Sequence, residues 1–313
     1  MKAIRIHAYG NPELMQLEDA PVPACGPNDV LVRVVAAGVN PIDWKIRVGA
    51  MAQMLPMTFP LTLGSDAAGV VVAVGATDSR FKAGDEVFFY ADFAHGGTYA
   101  EYVAVNAAQV AHKPATLSFA SAAALPMPGQ TAWTALTDVA NAQAGMRILV
   151  HGAGGAVGSI VVQLAKQRGL HVIATASAKD HELLKSLGAD QVIDYRTERF
   201  QDLVSDLDIV LDTQGGATQE ASWATLKPGG LLIATTVPPS EQRAAQAGVR
   251  AHFLFTPPRG AVLEQLACLV DAGQLRVLVG KEFALADAVQ AHLQGESGSA
   301  RGKMILHVAA PLV

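Results

Sequence analysis

The chain contains little of what marks several large classes of protein. Among its 313 residues there are only two cysteines, Cys25 and Cys268, and they lie far apart. A disulfide framework and a cysteine-rich zinc site both need more thiols, so the sequence excludes them. Charged residues make up 16% of the chain, the formal net charge is -5, and lysine and arginine form no cluster with interleaved aromatic residues. Nucleic acid is therefore not an expected partner.

Long apolar runs are also missing. The alanine-rich stretch 117–136 is interrupted by Pro126, Pro128 and Gly129, and no apolar run reaches the length that spans a membrane. The first residues alternate like a strand and lack the apolar core of a secretory signal. The sequence therefore predicts no membrane association and a cytoplasmic location.

What the chain does have is material for a large core, because 50% of its residues are hydrophobic. At this length two domains are expected.

Up to residue 118, short β-rich runs are separated by Gly, Pro and Asp, which is typical of a small barrel or sandwich. After Arg147, strand-like runs alternate with helical patterns. This predicts βαβ units and a parallel, doubly wound α/β domain, which has six strands. The predicted strands are 147–151, 171–176, 190–194, 207–212, 230–235 and 249–255.

The end of the chain continues beyond this predicted sheet. It contains a predicted helix at 260–272, a strand at 277–283, a helix at 285–294 and a last strand from Gly302. Because the doubly wound sheet is complete by about residue 255, we expect this tail to return to the first domain.

Four glycines within the segment 152–158 follow the first of the predicted parallel strands. Their spacing is Gly-x-x-Gly-x-x-Gly rather than the commoner Gly-x-Gly-x-x-Gly. Glycines at such positions permit a tight turn, let a pyrophosphate approach backbone N–H groups, and let the helix pack closely on the strand. The pattern predicts a dinucleotide site, and its alternative is a plain tight turn between strand and helix. The predicted contacts to the pyrophosphate are Gly152, Gly154, Gly155, Ala156, Val157 and Gly158.

The end of the second parallel strand favours NADP(H) over NAD(H). An acid at this point binds the ribose of NAD, whereas a small residue with a nearby cation accommodates the 2′-phosphate of NADP. Here the strand ends in Ser177 and Lys179, with no acid between them. Tyr195 or Arg196, after the third strand, could cover the adenosine. The alternative for Lys179 is the first turn of a solvated helix.

Eight motifs together resemble the medium-chain dehydrogenase/reductase superfamily, specifically its zinc-free, zeta-crystallin-like quinone oxidoreductase branch. The resemblance extends over nearly the whole chain. Besides the glycine turn, it is carried by 36–49 (AAGVNPIDWKIRVG), 63–71 (LGSDAAGVV), 81–87 (FKAGDEV), 97–102 (GTYAEY), 129–133 (GQTAW), 187–196 (LGADQVIDYR) and 226–230 (LKPGG). It implies a GroES-like β-barrel domain over 1–118, to which 265–313 returns, and a doubly wound Rossmann domain binding NADP(H) over 119–264.

The chain departs from the zinc enzymes of this superfamily at their metal ligands. Those enzymes have Cys where this chain has Asn40, and Gly-His-Glu where it has Gly64, Ser65 and Asp66. Neither a thiolate nor an imidazole is present at these positions, so no catalytic zinc is expected. Without zinc, an acceptor that spreads the incoming charge over a conjugated system is the expected substrate, namely a quinone or an α,β-unsaturated carbonyl.

The resemblance also implies roles for individual residues. Asn40 would lie beside the nicotinamide and donate its amide to the developing enolate oxygen. Lys45 is the predicted second donor or proton source, with a surface lysine as the alternative. Asp43 would cap the helical turn that starts after Asn40, with the orientation of Lys45 as the alternative role. His151, just before the glycine turn, is expected to be a packed strand residue. The residues expected at the nicotinamide end, carried over by position, are Thr131, Val237, Phe253 and Phe255.

The predicted activity is hydride transfer from NADPH to a quinone or an enone. Two alternatives stay open: a reductase of enoyl thioesters, which would need basic residues for a carrier's phosphates, and a non-enzymatic structural or sensor protein that binds NADPH. By resemblance the chain is expected to form a homodimer through the sixth-strand region 249–255, at an edge of the sheet.

Overall fold

The structure, a computed structural model, describes residues 1–76, 79–93, 97–298 and 301–309. The chain divides into two compact units. Unit 1 comprises Met1–Gln130 together with Pro257–Val313, and unit 2 comprises Thr131–Thr256.

The helices and strands follow in chain order. The first part of unit 1 contains strands β1 (Lys2–Ile6), β2 (Gln16–Asp19) and β3 (Asp29–Val39), helix α1 (Pro41–Arg47), strands β4 (Leu61–Thr62), β5 (Asp66–Val74), β6 (Glu86–Tyr90), β7 (Tyr102–Asn106) and β8 (Val110–His112), helix α2 (Phe119–Ala123) and helix α3 (Pro126–Trp133), whose end enters unit 2. Unit 2 contains β9 (Arg147–His151), α4 (Ala156–Gln167), β10 (His171–Ala176), α5 (His181–Ser186), β11 (Gln191–Asp194), β12 (Leu207–Asp212), α6 (Gly216–Ser222), β13 (Leu226–Ala234), α7 (Glu241–Ala247) and β14 (Arg250–Phe253). The return to unit 1 adds α8 (Gly260–Asp271), β15 (Val279–Ala284), α9 (Ala288–Glu296) and β16 (Lys303–His307).

Unit 1 is built on a mostly antiparallel sheet in the order β15-β16-β3-β5-β6-β8, with β7 also paired to β3. A second, antiparallel sheet has the order β2-β1-β4. Strand β3 is the centre of the larger sheet, and its last six residues are all buried, since it pairs with β5, β7 and β16. Strand β16, which lies in the tail of the chain, pairs directly with β3.

Unit 2 is a six-stranded parallel sheet in the order β11-β10-β9-β12-β13-β14. Strand β9 lies at the centre of this sheet. Strands β10 and β11 follow it in succession on one side, and β12, β13 and β14 follow in succession on the other. This is the doubly wound order of a dinucleotide-binding domain. The central strands are continuous apolar runs buried on both faces, as expected of a parallel sheet covered by helices. The predicted fold class and all six predicted parallel strands are confirmed, with ends that differ by a few residues.

The unit boundaries fall after Gln130 and Thr256 rather than after residues 118 and 264. The physical reason is packing. Helix α2, which the sequence places in the Rossmann segment, lies against β3 and β5, and α8, which crosses the predicted boundary at 264, lies against β8, so both helices belong to unit 1. Within the described parts of the chain, no helix is both long and apolar enough to cross a membrane.

Candidate functional site

The glycine turn between β9 and α4 has the geometry of an anion-binding site. Gly152 has φ 68°, a left-handed conformation that favours glycine. A Cβ on Gly158 would lie 2.5 Å from the carbonyl oxygen of Gly152, so only hydrogen fits there and the helix packs directly on the turn. Gly155 precedes the helix without a side-chain cap. The first N–H groups of α4, at Ala156 to Gly158, therefore have no intrahelical acceptor and can bind a phosphate.

Most of the other predicted cofactor residues follow the carboxyl ends of the parallel strands. In a parallel sheet these ends share one edge, and the strand order reverses between β9 and β12, where such folds bind their ligands. Thr131 lies elsewhere, half-buried near the end of α3. The residues at the sheet edge are the glycine turn after β9, Ser177 and Lys179 after β10, Tyr195 after β11, Val237 after β13, and Phe253 and Phe255 at and after the end of β14.

These edge residues differ in exposure. Lys179 is exposed, and so are Tyr195, Val237, Phe253 and Phe255, with Tyr195 and Phe255 more than half accessible. Large apolar side chains at the surface of a domain commonly mark a place where a ligand or partner binds. The guanidinium of Arg196 lies 5.8 Å from the ring centre of Tyr195, so this ring already stacks with a cation.

Asp180 is an acidic residue that the sequence pattern considered above misses, because that pattern ends at Lys179. Its Oδ2 accepts a hydrogen bond from the Ser177 hydroxyl at 3.0 Å. A Cβ on Gly154 would lie 3.2 Å from the same oxygen, so the carboxylate lies against the glycine turn. Ser177 is therefore engaged with Asp180, and its hydroxyl has to rotate before it can donate to a phosphate.

His151 at the end of β9 is a packed strand residue, as expected. It is fully buried, with Nδ1 3.0 Å from the Thr175 hydroxyl and Nε2 3.0 Å from the Ser222 hydroxyl. Ser222 donates to the carbonyl of Thr218, so its oxygen accepts from His151 Nε2–H. Burial lowers the pKa of His151 to about 4, and the ring is neutral at pH 7.

In unit 1, Asn40 is part of a buried polar cluster. Its Nδ2 donates to Asp66 Oδ2 at 3.0 Å, and its Oδ1 accepts from Lys303 Nζ. Lys303 also donates to Asp66 Oδ2 at 2.8 Å, while the backbone N–H of Met127 donates to the other oxygen of Asp66 at 2.9 Å. All three side chains of this cluster are at most 3% exposed. Burial raises the pKa of Asp66, and the Lys303 ammonium opposes that rise.

Asp43 forms the second half of the cluster. Its carboxylate accepts from the backbone N–H of Asn40 at 2.7 Å, from the Tyr99 hydroxyl at 2.9 Å and from the Ser65 hydroxyl at 3.2 Å. The expected capping role at the start of α1 is thus confirmed. Burial raises the pKa of Asp43 to about 7, although these donors and Lys303 oppose the rise. Asp43 also borders a cavity of about 10 Å³, which is about the size of one water molecule.

Behind Asp43 lies a buried histidine. His292 Nε2 is 3.4 Å from the Tyr99 hydroxyl, and the two rings meet edge to face at 5.8 Å. Because the Tyr99 hydroxyl donates to Asp43, His292 Nε2–H points at its oxygen. Burial, together with the charge of Arg47, lowers the pKa of His292 to about 3.

Lys45, the other predicted catalytic residue, lies on α1 and is half-buried. Partial burial lowers its pKa, because the charged form is desolvated. Asp43, on the same helix, is turned into the buried cluster. No group of three or more His, Cys, Asp or Glu side chains that could hold a metal occurs among the residues that the structure describes.

Sequence reasoning missed Lys303 as a neighbour of Asn40, and it missed His292, which lies against Tyr99 behind Asp43. One signal was available: Lys303 opens the otherwise apolar run of β16, and a lysine at such a position is rarely buried without a partner. The partner could not be found from the sequence, because Lys303 and Asn40 meet only when β16 pairs with β3.

Comparisons with known proteins cover the whole chain. A family model described as Alcohol dehydrogenase GroES-like domain matches residues 26–115, and one described as Zinc-binding dehydrogenase matches 187–306. The 2-methylene-furan-3-one reductase of Solanum lycopersicum is 38% identical over 98% of this chain and 79% of its own length. The mitochondrial NAD(P)H oxidoreductase RTN4IP1 of Homo sapiens is 34% identical over 98% of this chain and 89% of its own length.

Solved structures agree with these relatives. The quinone oxidoreductase from Coxiella burnetii superposes with a TM-score of 0.92 at 36% identity, covering 99% of both chains. The Escherichia coli quinone oxidoreductase complexed with NADPH superposes with a TM-score of 0.88 at 28% identity, covering 98% of this chain and 100% of that one. With the doubly wound sheet, the glycine turn and motifs that match from end to end, the chain belongs to the medium-chain dehydrogenase/reductase superfamily, in the branch of the zinc-free quinone oxidoreductases.

Proposed function

We propose that this protein is an NADPH-dependent oxidoreductase that transfers hydride to a quinone or an α,β-unsaturated carbonyl without zinc. The observation that carries the proposal is full-length similarity to reductases of both substrate kinds. One relative is named a quinone oxidoreductase and another a 2-methylene-furan-3-one reductase, whose named substrate is an enone. Relatives are also named NAD(P)H oxidoreductases, and one neighbour is complexed with NADPH.

Residues of unit 2 fit the proposed cofactor. Gly158 lets α4 pack directly on the turn, since a Cβ there would lie 2.5 Å from the Gly152 carbonyl oxygen, and the uncapped N-terminus of α4 would supply N–H donors to the pyrophosphate. Lys179 would supply charge to the 2′-phosphate, and Ser177 would donate to it once its hydroxyl leaves Asp180. Tyr195 would cover the adenosine. Thr131, Val237, Phe253 and Phe255 would border the nicotinamide.

NADPH, when bound, supplies the hydride, and the side chains of unit 1 would stabilise the charge that appears on the acceptor. Asn40 would donate its amide to the oxygen that becomes an enolate or a phenolate. Where zinc enzymes use a metal, this cluster offers a hydrogen-bond donor, which is sufficient for a conjugated acceptor that spreads the charge. Lys45 would donate a second hydrogen bond or the proton, because its lowered pKa makes proton release easier.

The activity is tested with purified full chain and three acceptors in turn: 1,2-naphthoquinone, an enal and a crotonyl thioester. We expect NADPH absorbance to fall with the quinone or the enal. With NADPH deuterated at nicotinamide C4, an enone product should carry deuterium on its β-carbon. Preference for the thioester would favour an enoyl-thioester reductase. NADPH binding without turnover of any acceptor would favour a structural or sensor protein.

The proposal includes a homodimer through the β14 edge. This strand ends the six-stranded sheet, and Phe253 and Phe255 are exposed on and beside it. An edge strand whose N–H and C=O groups are unpaired on one side is a surface that a second copy can pair with. Light scattering at micromolar protein should give twice the chain mass, and a monomer would contradict this part. A cytoplasmic location stays a prediction, which cell fractionation tests.

A further inference from the structure

Lys303 is a buried cation that the proposed chemistry has not yet used. It is 3% exposed, and its Nζ donates to Asn40 Oδ1 and, at 2.8 Å, to Asp66 Oδ2. Burying a lysine and a carboxylate is costly unless each is paired and hydrogen-bonded. Nothing in the packing of the sheet requires a charge here, since the rest of β16 up to Leu306 is apolar and buried.

The backbone is arranged to admit this lysine. Lys303 opens β16, Asn40 follows β3 directly, and Asp66 opens β5, so the three side chains come from three neighbouring strands. Gly38 lies between them: a Cβ on it would be 2.8 Å from Lys303 Cε and 3.1 Å from Asp66 Cβ. A glycine in a central strand weakens the strand unless another group must approach closely. Here the approaching groups are the stem of Lys303 and the carbonyl oxygen of Ala123, which would lie 2.5 Å from such a Cβ.

The charges on either side of Asn40 leave its amide one orientation. An ammonium can only donate, and an ionised carboxylate can only accept. The amide oxygen must therefore face Lys303 and the amide nitrogen must face Asp66. A flipped amide would set N–H against the ammonium and oxygen against the carboxylate. One N–H of Asn40 donates to Asp66, and the second is the donor that the proposed function assigns to the substrate oxygen.

The cation also strengthens that donor. When an amide oxygen accepts from an ammonium in a buried site, electron density shifts toward the oxygen and the N–H becomes a better donor. We propose that Lys303 is a positioning residue that orients and polarises Asn40 for the oxyanion of the reduced acceptor. This inference rests on the proposed function. It adds a residue from the far end of the chain to the site.

The test is the double variant Lys303→Met with Asp66→Asn, which removes the cation together with the carboxylate that it pairs with and leaves Asp43, held by its three hydrogen bonds, as the remaining acid of the cluster. We expect kcat with the preferred acceptor to fall roughly 10- to 100-fold, less than the roughly 100- to 1,000-fold that follows complete loss of an oxyanion donor because the Asn40 amide is still present, while KM for NADPH changes less than about threefold. The matched control is Lys113→Met. Lys113 is also a nearly buried lysine of unit 1, paired with Glu86, but it lies in another part of the sheet. We expect this control to retain kcat.

Each outcome decides one claim. An unchanged kcat in a folded double variant overturns the role of Lys303, whereas a wild-type protein that turns over no acceptor overturns the proposed function and the assignment with it. If the double variant does not fold, NMR on the wild type replaces it. A slowly exchanging Lys303 ammonium signal with an Overhauser contact to the Asn40 amide protons supports the assignment. Absence of that contact, or an Asn40 side-chain amide that exchanges between its two orientations, contradicts the assignment.

Discussion

At the scale of single residues, the predicted site residues differ in how deeply their side chains are buried. The side chain of Asn40 is buried and hydrogen-bonded to Asp66 and Lys303, whereas the side chain of Lys179 is exposed. A buried hydrogen-bonded amide gains strength from its low-dielectric surroundings, while a surface cation acts mainly through charge. Substitutions at the two positions should therefore differ in which kinetic constant they change.

Asn40→Ala should lower kcat roughly 100-fold with little change in KM for NADPH. The reason is that a donor to the developing oxyanion acts in the transition state rather than on cofactor binding. Steady-state kinetics with the preferred acceptor measure this. Asn28→Ala, an exposed asparagine of the same unit, is the control and should behave as the wild type. An equal loss in both variants, or a loss confined to KM, would contradict the assignment.

Lys179→Ala should weaken NADPH binding roughly tenfold and leave NADH binding almost unchanged, because only NADPH carries the 2′-phosphate that the ammonium would contact. Fluorescence titration with each cofactor measures both affinities. Lys185→Ala is the control, since Lys185 is an exposed lysine on the next helix that pairs with Glu182. A parallel loss for both cofactors would show that Lys179 does not select the phosphate.

At the scale of helices and strands, the sequence predicts those features that are formed by a single continuous segment of the chain. The run 147–158 predicts strand, turn and helix because β-branched residues, glycines and helical spacing follow in order, and β9 and α4 are found there. The same holds for the other parallel strands. The Asn40 cluster could not be predicted in this way, because it depends on the pairing of β3 with both β16 and β5 and on the space left by Gly38. Asp180 could be noticed from the sequence alone, but it lies one residue beyond Lys179, where the pattern that distinguishes NADP(H) from NAD(H) ends.

The glycine turn should tolerate alanine unequally. At Gly158 a Cβ would lie 2.5 Å from a backbone oxygen, which cannot move without shifting β9, so Gly158→Ala should lower the free energy of unfolding by about 2 kcal/mol. At Gly155 the nearest atom would be 3.3 Å away and the backbone φ is -81°, so Gly155→Ala should cost clearly less. Urea denaturation of the two variants compares them. Equal stability of the two would contradict the packing argument.

At the scale of the whole molecule, the two units should respond differently to acid. In unit 2 the folded-state pKa of His151, about 4, lies below the unfolded value of about 6.5. The contribution of this histidine to the free energy of unfolding is therefore fully present above about pH 6.5. It is lost as the pH falls toward 4, by about 3 kcal/mol in total. In unit 1 the pKa of His292, about 3, acts in the same direction. The pKa of Asp43, about 7, acts in the opposite one, since its folded state takes up a proton first and gains stability as pH falls below 7.

Between pH 7 and about pH 5 we therefore expect unit 2 to lose stability before unit 1. Hydrogen exchange measured by mass spectrometry, corrected for the intrinsic rate at each pH, should show β9, β10 and β12 losing protection while β3 and β5 retain it. His151→Gln should reduce the difference, and His252→Gln, which removes an exposed imidazole, should not. Earlier loss of protection in β3 and β5 would mean that Asp43 does not offset His292.

The central claim is that this chain reduces a conjugated acceptor with NADPH and without a metal. The most direct measurement is NADPH oxidation by protein that has been treated with a chelator and checked for residual zinc by mass spectrometry, with a quinone and an enone as acceptors. We expect turnover of at least one acceptor at an unchanged rate after chelation, and faster turnover with NADPH than with NADH. Turnover that disappears with the metal and returns with added zinc, or no turnover of either acceptor, would contradict it.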